Sequence, residues 1–264
     1  MTLTAYIEGI GLLGPGLTDW TSAQAILGGS QPYQPHPTIL PPPALLPAAE
    51  RRRSGAIVKL TLATGLEAIT AAGLDAASLP SVFSASGGDG ANCHAICEML
   101  ASADRQISPT RFHNSVHNSA AGYWSIATGA MTASSVLGAC DASFGAGLLE
   151  ALAQVVVDNT RCVFLACDTA YPEPLYRARP IPDAFGIALV LAPRRSTRAL
   201  AQITVSLTDA SADRLDDAAL EALRNAIPAA RGLPLLRAIA LRQDQRVVLD
   251  YLDSTRLAVV IAPC

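Results

Sequence analysis

Residues 118–150, NSAAGYWSIATGAMTASSVLGACDASFGAGLLE, constrain the fold more than any other stretch. The run reads as helix, loop, strand, sharp turn and helix. Asn118 to Gly129 suits a helix and Ser134 to Ala139 a short strand. Ser143 to Val157 suits a second helix, rich in Ala and Gly on one face, which permits close packing against a neighbour. The turn Ala139-Cys140-Asp141-Ala142-Ser143 lies at the mouth of that helix, where the partial positive charge of the helix dipole is concentrated. A thiol, a carboxylate and a hydroxyl thus meet at one elbow.

The remaining chain supplies alternating strands and helices. Residues 3–11 read as an apolar strand and 20–29 as a brief helix. Residues 31–47 carry Pro32, Pro35, Pro37, Pro41, Pro42, Pro43 and Pro47, a density that no regular element survives. A helix is predicted from Arg51 to Ala72, with Ile57, Leu60, Ala63 or Thr64 and Leu66 on one face and Gly73 as its stop. Residues 81–86 (SVFSAS) form a buried strand, and a helix runs from about Ala91 to Ser102. RCVFLACD (161–168) is an apolar run of strand length with charged ends, as in a strand covered on both faces. Residues 182–193 and 199–209 give two more strands, Asp213–Ala226 a helix, and 246–263 a strand, turn and strand. The expected class is α/β, with a mixed sheet covered by helices.

Composition narrows the functions. The 264 residues carry a net charge of −3 and are 50% hydrophobic, which gives no reason to expect a nucleic-acid partner. No apolar run of membrane-crossing length lacks a charge. The first twenty residues contain Glu8 and Asp19 and lack the pattern of a signal peptide, so a cytoplasmic location is expected. The six cysteines are Cys93, Cys97, Cys140, Cys162, Cys167 and Cys264. Four lie in apolar helix or strand patterns and are expected to act as small buried hydrophobes. Cys93 with Cys97, and His113 with His117, share helix faces, but neither pair has the compact knuckle of a structural zinc site. Gly87-Gly88-Asp89-Gly90 lacks the Lys-Ser/Thr of a phosphate loop and reads as a tight turn. Arg51-Arg52-Arg53 reads as a solvated helix start, although it could attract an acidic partner.

In order and spacing these segments resemble the β-ketoacyl synthase family of the thiolase fold. RSGAIVKLTLATGLEAITAAGL (53–74) is similar to the family's first long helix, and SVFSASGGDG to the strand and Gly-rich turn that follow. SPTRFHNSVHNSAAGYWSIATG (108–129) resembles the segment leading to the nucleophile turn. RCVFLACDTA and ARPIPDAFGIALVLAPRRSTRALAQITVSL resemble a later strand and hairpin. The likeness covers roughly 190 residues from Tyr6. It implies a thiolase-like fold that is essentially the N-terminal half of a ketosynthase. Residues 1–264 would form a single domain, with 1–205 as the N-terminal half and 206–264 as a reduced C-terminal addition. That addition is either a vestige of the second half or a new cap.

From Asn118 the register runs without a gap and places Asp141 where the family has its nucleophilic cysteine, with Cys140 one step early. Asp141 is then expected to cap the helix and Cys140 to be a buried spectator. The family also draws two histidines and a lysine from its C-terminal half. Here no histidine follows His117 and no lysine follows Lys59. Decarboxylative condensation within this chain is not expected.

HNSVHNSAAGYWSIATG and LDYLDSTRLAVVIAPC more narrowly resemble chain length factors of aryl polyene gene clusters, which are similar to the non-catalytic partner in type II polyketide ketosynthase pairs. The resemblance implies pairing with a complete ketosynthase, as a heterodimer or dimer of heterodimers. Contact with an acyl carrier protein would be transient. No metal or organic cofactor is implied. Thr110, Arg111, Phe112 and His113, ahead of Asn118, would reach toward the partner's acyl tunnel. The alternatives are an acyltransferase or thioesterase using Cys140 or Ser143, and a homodimeric acyl-binding scaffold.

Overall fold

A computed structural model describes residues 2–264. Its eight strands are β1 (Thr2–Leu13), β2 (Ser81–Ser84), β3 (Ser134–Leu137), β4 (Cys162–Asp168), β5 (Phe185–Ala192), β6 (Ala201–Thr208), β7 (Gln245–Leu249) and β8 (Arg256–Pro263). They form one sheet in the order β3-β2-β4-β5-β1-β6-β8-β7. The β3-β2-β4 pairings are parallel and the rest antiparallel. The helices are α1 (Trp20–Leu27), α2 (Ala48–Arg53), α3 (Ala56–Ala72), α4 (Gly90–Ala101), α5 (Pro109–His113), α6 (Ser119–Thr128), α7 (Ser143–Asp158), α8 (Leu175–Ala178), α9 (Ala218–Ala226) and α10 (Leu233–Leu241).

Every residue of β4 is buried. Cys162, Phe164 and Ala166 enter a core with α7 and α10, while Val163, Leu165 and Cys167 enter a second core with α3 and α6. This period-two division is what a strand covered on both faces requires. β6 behaves differently: Ala201, Ile203 and Val205 join the α7/α10 core, and Gln202, Thr204 and Ser206 on the opposite face are only partly covered. The sheet is therefore sandwiched around β2, β4 and β5 and covered on one face around β6, β8 and β7.

Close packing on the sandwiched side depends on small residues. A Cβ on Gly11 of β1 would lie 1.9 Å from the carbonyl oxygen of Thr64 in α3. Gly73 ends α3 in the left-handed conformation, with φ 65°. The helix expected from Arg51 to Ala72 is split, because Ser54 and Gly55 are extended between α2 and α3. The proline segment has no regular structure but is pinned at several points. Gly16 N donates to His36 O (2.9 Å) and the Thr38 hydroxyl to Ala184 O (2.8 Å).

Two elements of the C-terminal part differ from expectation. The helix predicted from Asp213 starts at Ala218, where the Asp217 carboxylate accepts from the backbone N–H groups of Ala219 and Leu220. Helix α10 is an element beyond those the sequence pattern marks; it begins with Leu233-Pro234, and its buried Leu235, Leu236 and Ile239 face the core. Proline at the first turn is compatible with a helix, because those N–H groups have no intrahelical partner. Residues Cys140–Asp158 are long and apolar enough to cross a membrane, but half of that stretch is buried inside the protein, as in a core helix.

Candidate functional site

β3 ends at Leu137, and the chain turns through Gly138 and Ala139 into a single 3-10 turn, Cys140–Ala142, before α7 begins. The left-handed residue of this elbow is Cys140, with φ 48°, a conformation uncommon for a residue with a side chain. Its thiol is exposed. The expectation of a buried spectator therefore fails, because the 3-10 turn swings residue 140 outward instead of continuing the strand alternation. The wider expectation for the cysteines also fails in part. Cys93 and Cys97 lie on the outer face of α4 and are exposed. Only Cys162 and Cys167 are buried, and burial pushes both thiols up to about 12.

Asp141 does not cap α7. The residue preceding the helix is Ala142, and no side chain caps it. The carboxylate instead accepts from two arginines that approach from different loops. Arg179 Nε donates to Oδ1 at 2.9 Å and Arg231 Nη2 to Oδ2 at 3.0 Å. Arg179 also donates to the carbonyls of Pro180 and Ala226, each at 2.9 Å. The pull of two guanidinium groups outweighs one local cap bond.

The Ser143 hydroxyl is buried and engaged. It accepts from Ala139 N at 3.0 Å and donates toward Cys140 O at 2.7 Å, with Ala85 O at 3.1 Å. It stitches the elbow together and is not presented to a substrate.

A second carboxylate, absent from the sequence reading, anchors the other side. Asp168 at the end of β4 is buried and accepts from Ser86 N (2.7 Å), Ser86 Oγ (2.6 Å) and Ala229 N (2.8 Å). Burial raises its pKa, against the pull of these bonds. Ser86 Oγ also lies 2.9 Å from Tyr171 Oη. Its one sequence signal was a charge at the end of a wholly apolar strand. Arg179 and Arg231 had none, since their partner lies 38 and 90 residues away. Ala229 and Arg231 both belong to the 3-10 segment Pro228–Gly232, so the C-terminal part fills the space beside the elbow with ion pairs and a backbone donor.

The segment before Asn118 forms α5 and a turn. Phe112 is 68% exposed. His113 packs edge-on against Tyr123, with centroids 6.3 Å apart. Tyr123 Oη donates to Asn114 Oδ1 (3.0 Å), and Asn114 Nδ2 to Arg53 O (2.8 Å), which fixes the base of α5. Thr110 and Arg111 line an open cleft of about 840 Å³ with Arg52, Asp89 and Asn92. Asn118 is exposed at the start of α6 and makes no cap bond. His117 lies beside the elbow; a Cβ on Gly138 would be 3.2 Å from its Cε1. Among the described residues no three His, Cys, Asp or Glu side chains are grouped as a metal site would require. β3 is one edge of the sheet, and Met131 just before it is 94% exposed.

The family model described as beta-ketoacyl synthase, N-terminal domain, matches residues 19–249, and the chain belongs to that family. Solved structures share the fold nearly end to end. One is a chain of the ketosynthase ApeO in complex with its chain length factor ApeC from Xenorhabdus doucetiae. It is 21% identical, with a TM-score of 0.74, over 98% of this chain and 99% of that one. A chain of AntDE:AntF, a type II polyketide acyl carrier protein in complex with its ketosynthase bound to the hexaketide, matches over the full length of both chains, with 10% identity and a TM-score of 0.75. The ishigamide ketosynthase/chain length factor gives 13% identity and a TM-score of 0.69 over 98% of this chain and 99% of that one. No curated protein sequence matches. The fold is the thiolase-like fold of the ketosynthases, a mixed sheet covered by helices.

Proposed function

We propose that this chain is a chain length factor: a non-catalytic subunit that pairs with a complete β-ketoacyl synthase and shapes the tunnel in which the acyl chain grows. The observation that carries this reading is the Asp141 ion-pair cluster. A carboxylate held by Arg179 and Arg231 occupies the elbow where a condensing enzyme needs a thiolate flanked by imidazoles, and no histidine follows His117. A carboxylate satisfied by two guanidinium groups is a poor nucleophile, and the one histidine beside the elbow, His117, does not make the imidazole pair that a condensing enzyme uses.

The end-to-end likeness to chains from ketosynthase/chain length factor complexes supports the same role. The open β3 edge, with exposed Met131, Ile126 and Val157, is the surface proposed to meet the catalytic subunit. α5 presents Phe112, with Thr110, Arg111 and His113, toward the partner's tunnel. The product class is a polyene acyl chain, of the aryl polyene kind, carried on an acyl carrier protein that docks transiently.

The test is co-expression with complete ketosynthases from the same source organism. Stable co-purification and loss of product when this chain is omitted are expected; a ketosynthase that is soluble and active alone, and ignores this chain, sinks the reading. Phe112→Ala and Phe112→Trp are expected to shift product length in opposite directions, and an unchanged product spectrum removes the tunnel role.

The exposed Cys140 thiol in a left-handed elbow favours a second reading, a thiol-dependent acyl transfer. Fast, selective alkylation of Cys140 by iodoacetamide at neutral pH, with loss of activity in Cys140→Ala, would replace the first reading by this one.

A further inference from the structure

The end of the sheet opposite the elbow carries a concentration of positive charge that the proposed pairing does not use. Arg161 precedes β4, and Arg194 and Arg195 follow β5, which runs antiparallel to it with Cys162 opposite Leu191. The three arginines therefore share one end of the sheet, roughly 20 Å along β4 from Asp168 at about 3.3 Å per residue. With Asn159, Thr160 and Ser196 they line a cavity of about 450 Å³ in which, among the described residues, no acidic side chain takes part.

The charge balance of the cavity is uneven. Arg161 is bound on two prongs by the buried Glu8, with Nε at 2.6 Å and Nη2 at 3.1 Å. Burial alone would raise the Glu8 pKa, but its bonds to Arg161 and Ser196 hold it below the usual carboxylate range. Glu8 therefore stays ionised and cancels one arginine. α3 and α7 both end here, at Gly73 and Asn159. Each contributes only about half a negative charge. Arg198, whose guanidinium sits against Gly73, offsets most of that. Arg194 and Arg195 remain. Both are exposed, and no ion pair among the described residues uses either. Two guanidinium groups outside any ion pair thus share one rim of the cavity.

We propose that this cavity is a binding site for a phosphate-bearing anion, held by Arg194 and Arg195 with Asn159 and Thr160 as neutral donors. The planar fork of a guanidinium matches two phosphate oxygens at once. The open cleft is large enough to admit the phosphates of a nucleotide. The site lies at the opposite end of the sheet from the elbow, and it borders the β3 edge, where its lining residue Leu79 accepts from the Thr132 hydroxyl at 2.7 Å.

The test is calorimetric titration of the full chain, with its partner subunit where the two co-purify, using inorganic pyrophosphate and, separately, ADP at low salt. Saturable one-to-one binding is expected, weakened at least tenfold in the Arg194→Ala/Arg195→Ala double variant. Arg51→Ala/Arg52→Ala, which removes two exposed arginines elsewhere, is expected to leave affinity within about twofold. Tighter ADP binding assigns the phosphates of a nucleotide; pyrophosphate alone assigns a free anion. Absence of saturable binding to either probe, or equal losses in the two double variants, overturns the proposal. Should the double variant misfold by circular dichroism, Arg195→Gln alone must still weaken binding, and an unaltered affinity there overturns it equally.

Discussion

The two ends of the one sheet share an apolar core and differ in how they are covered. Around β2, β4 and β5 both faces are covered by helices, and stability comes from apolar burial: Phe164, Leu165, Leu189 and Val190 are at most 1% exposed. Around β6, β8 and β7 one face is open, and the segments covering the other combine apolar burial, through Leu220, Leu235 and Leu236, with ion pairs. Arg224, 6% exposed in its side chain, bonds Glu221 at 2.7 and 2.8 Å and also Asp250. Arg237 reaches Asp216 at 2.8 Å, and Arg231 reaches Asp141. Burial of apolar surface tolerates substitutions that preserve volume, whereas a buried charge pair tolerates loss of neither partner. The singly covered end places Ala229 and Arg231 beside the elbow.

The sharpest break of this contrast is Phe164→Ala on the doubly covered end. It removes a ring packed on Phe144 at 5.5 Å and is expected to cost about 4 kcal/mol, seen as a single loss of cooperative stability in urea. Arg224→Ala at the other end leaves two carboxylates without their shared cation and is expected to cost about 3 kcal/mol. Arg224→Met should recover little of it, while Phe164→Leu should recover much of its own loss; equal rescue at both ends would erase the distinction.

Acid should separate the ends further. The bonds from Arg224 are the main reason that the Glu221 carboxyl falls from 4.5 to about 2. Its contribution is present above about pH 4.5 and is lost as pH falls toward 2. The loss is on the order of 2 kcal/mol, allowing for partial solvent screening. Glu221→Gln should flatten that part of the stability-versus-pH curve; an unchanged acid limb would remove Glu221 as its source.

The smallest effect is expected at the elbow. Asp141 is 44% exposed in its side chain, so Asp141→Asn should cost about 0.5 kcal/mol. Product formation by the assembled pair should persist, and its abolition would return the elbow to chemistry.

Much of the frame was legible because its signals are local. The apolar run 162–168, the glycine stop at Gly73 and the proline segment each declare themselves within a few residues. The elbow was legible as a turn but not in its contents. Asp141 reads as a cap if only its neighbours in sequence are considered, because a carboxylate before a helix ordinarily bonds the first N–H groups. Arg179 and Arg231 overrode that preference from positions no periodicity marks. Cys140 departs from the expected burial for a related reason: strand alternation stops at Leu137, and a 3-10 turn sets its own direction. Helix α10 was hidden by Pro234, which marks a helix start as readily as a break.

The central place of β1 has a consequence during synthesis. The first strand made is hydrogen-bonded on both sides by strands made much later, β5 from Phe185 and β6 from Ala201. At ordinary translation speeds, β1 leaves the ribosome roughly 10 to 30 s before either neighbour exists. For that interval the stretch from Ala5 to Leu13 is a nascent apolar segment without its sheet. The chain is thus expected to depend on holding chaperones at the polysome, and slowing elongation downstream of residue 13 should lower its soluble yield more than slowing it after residue 208.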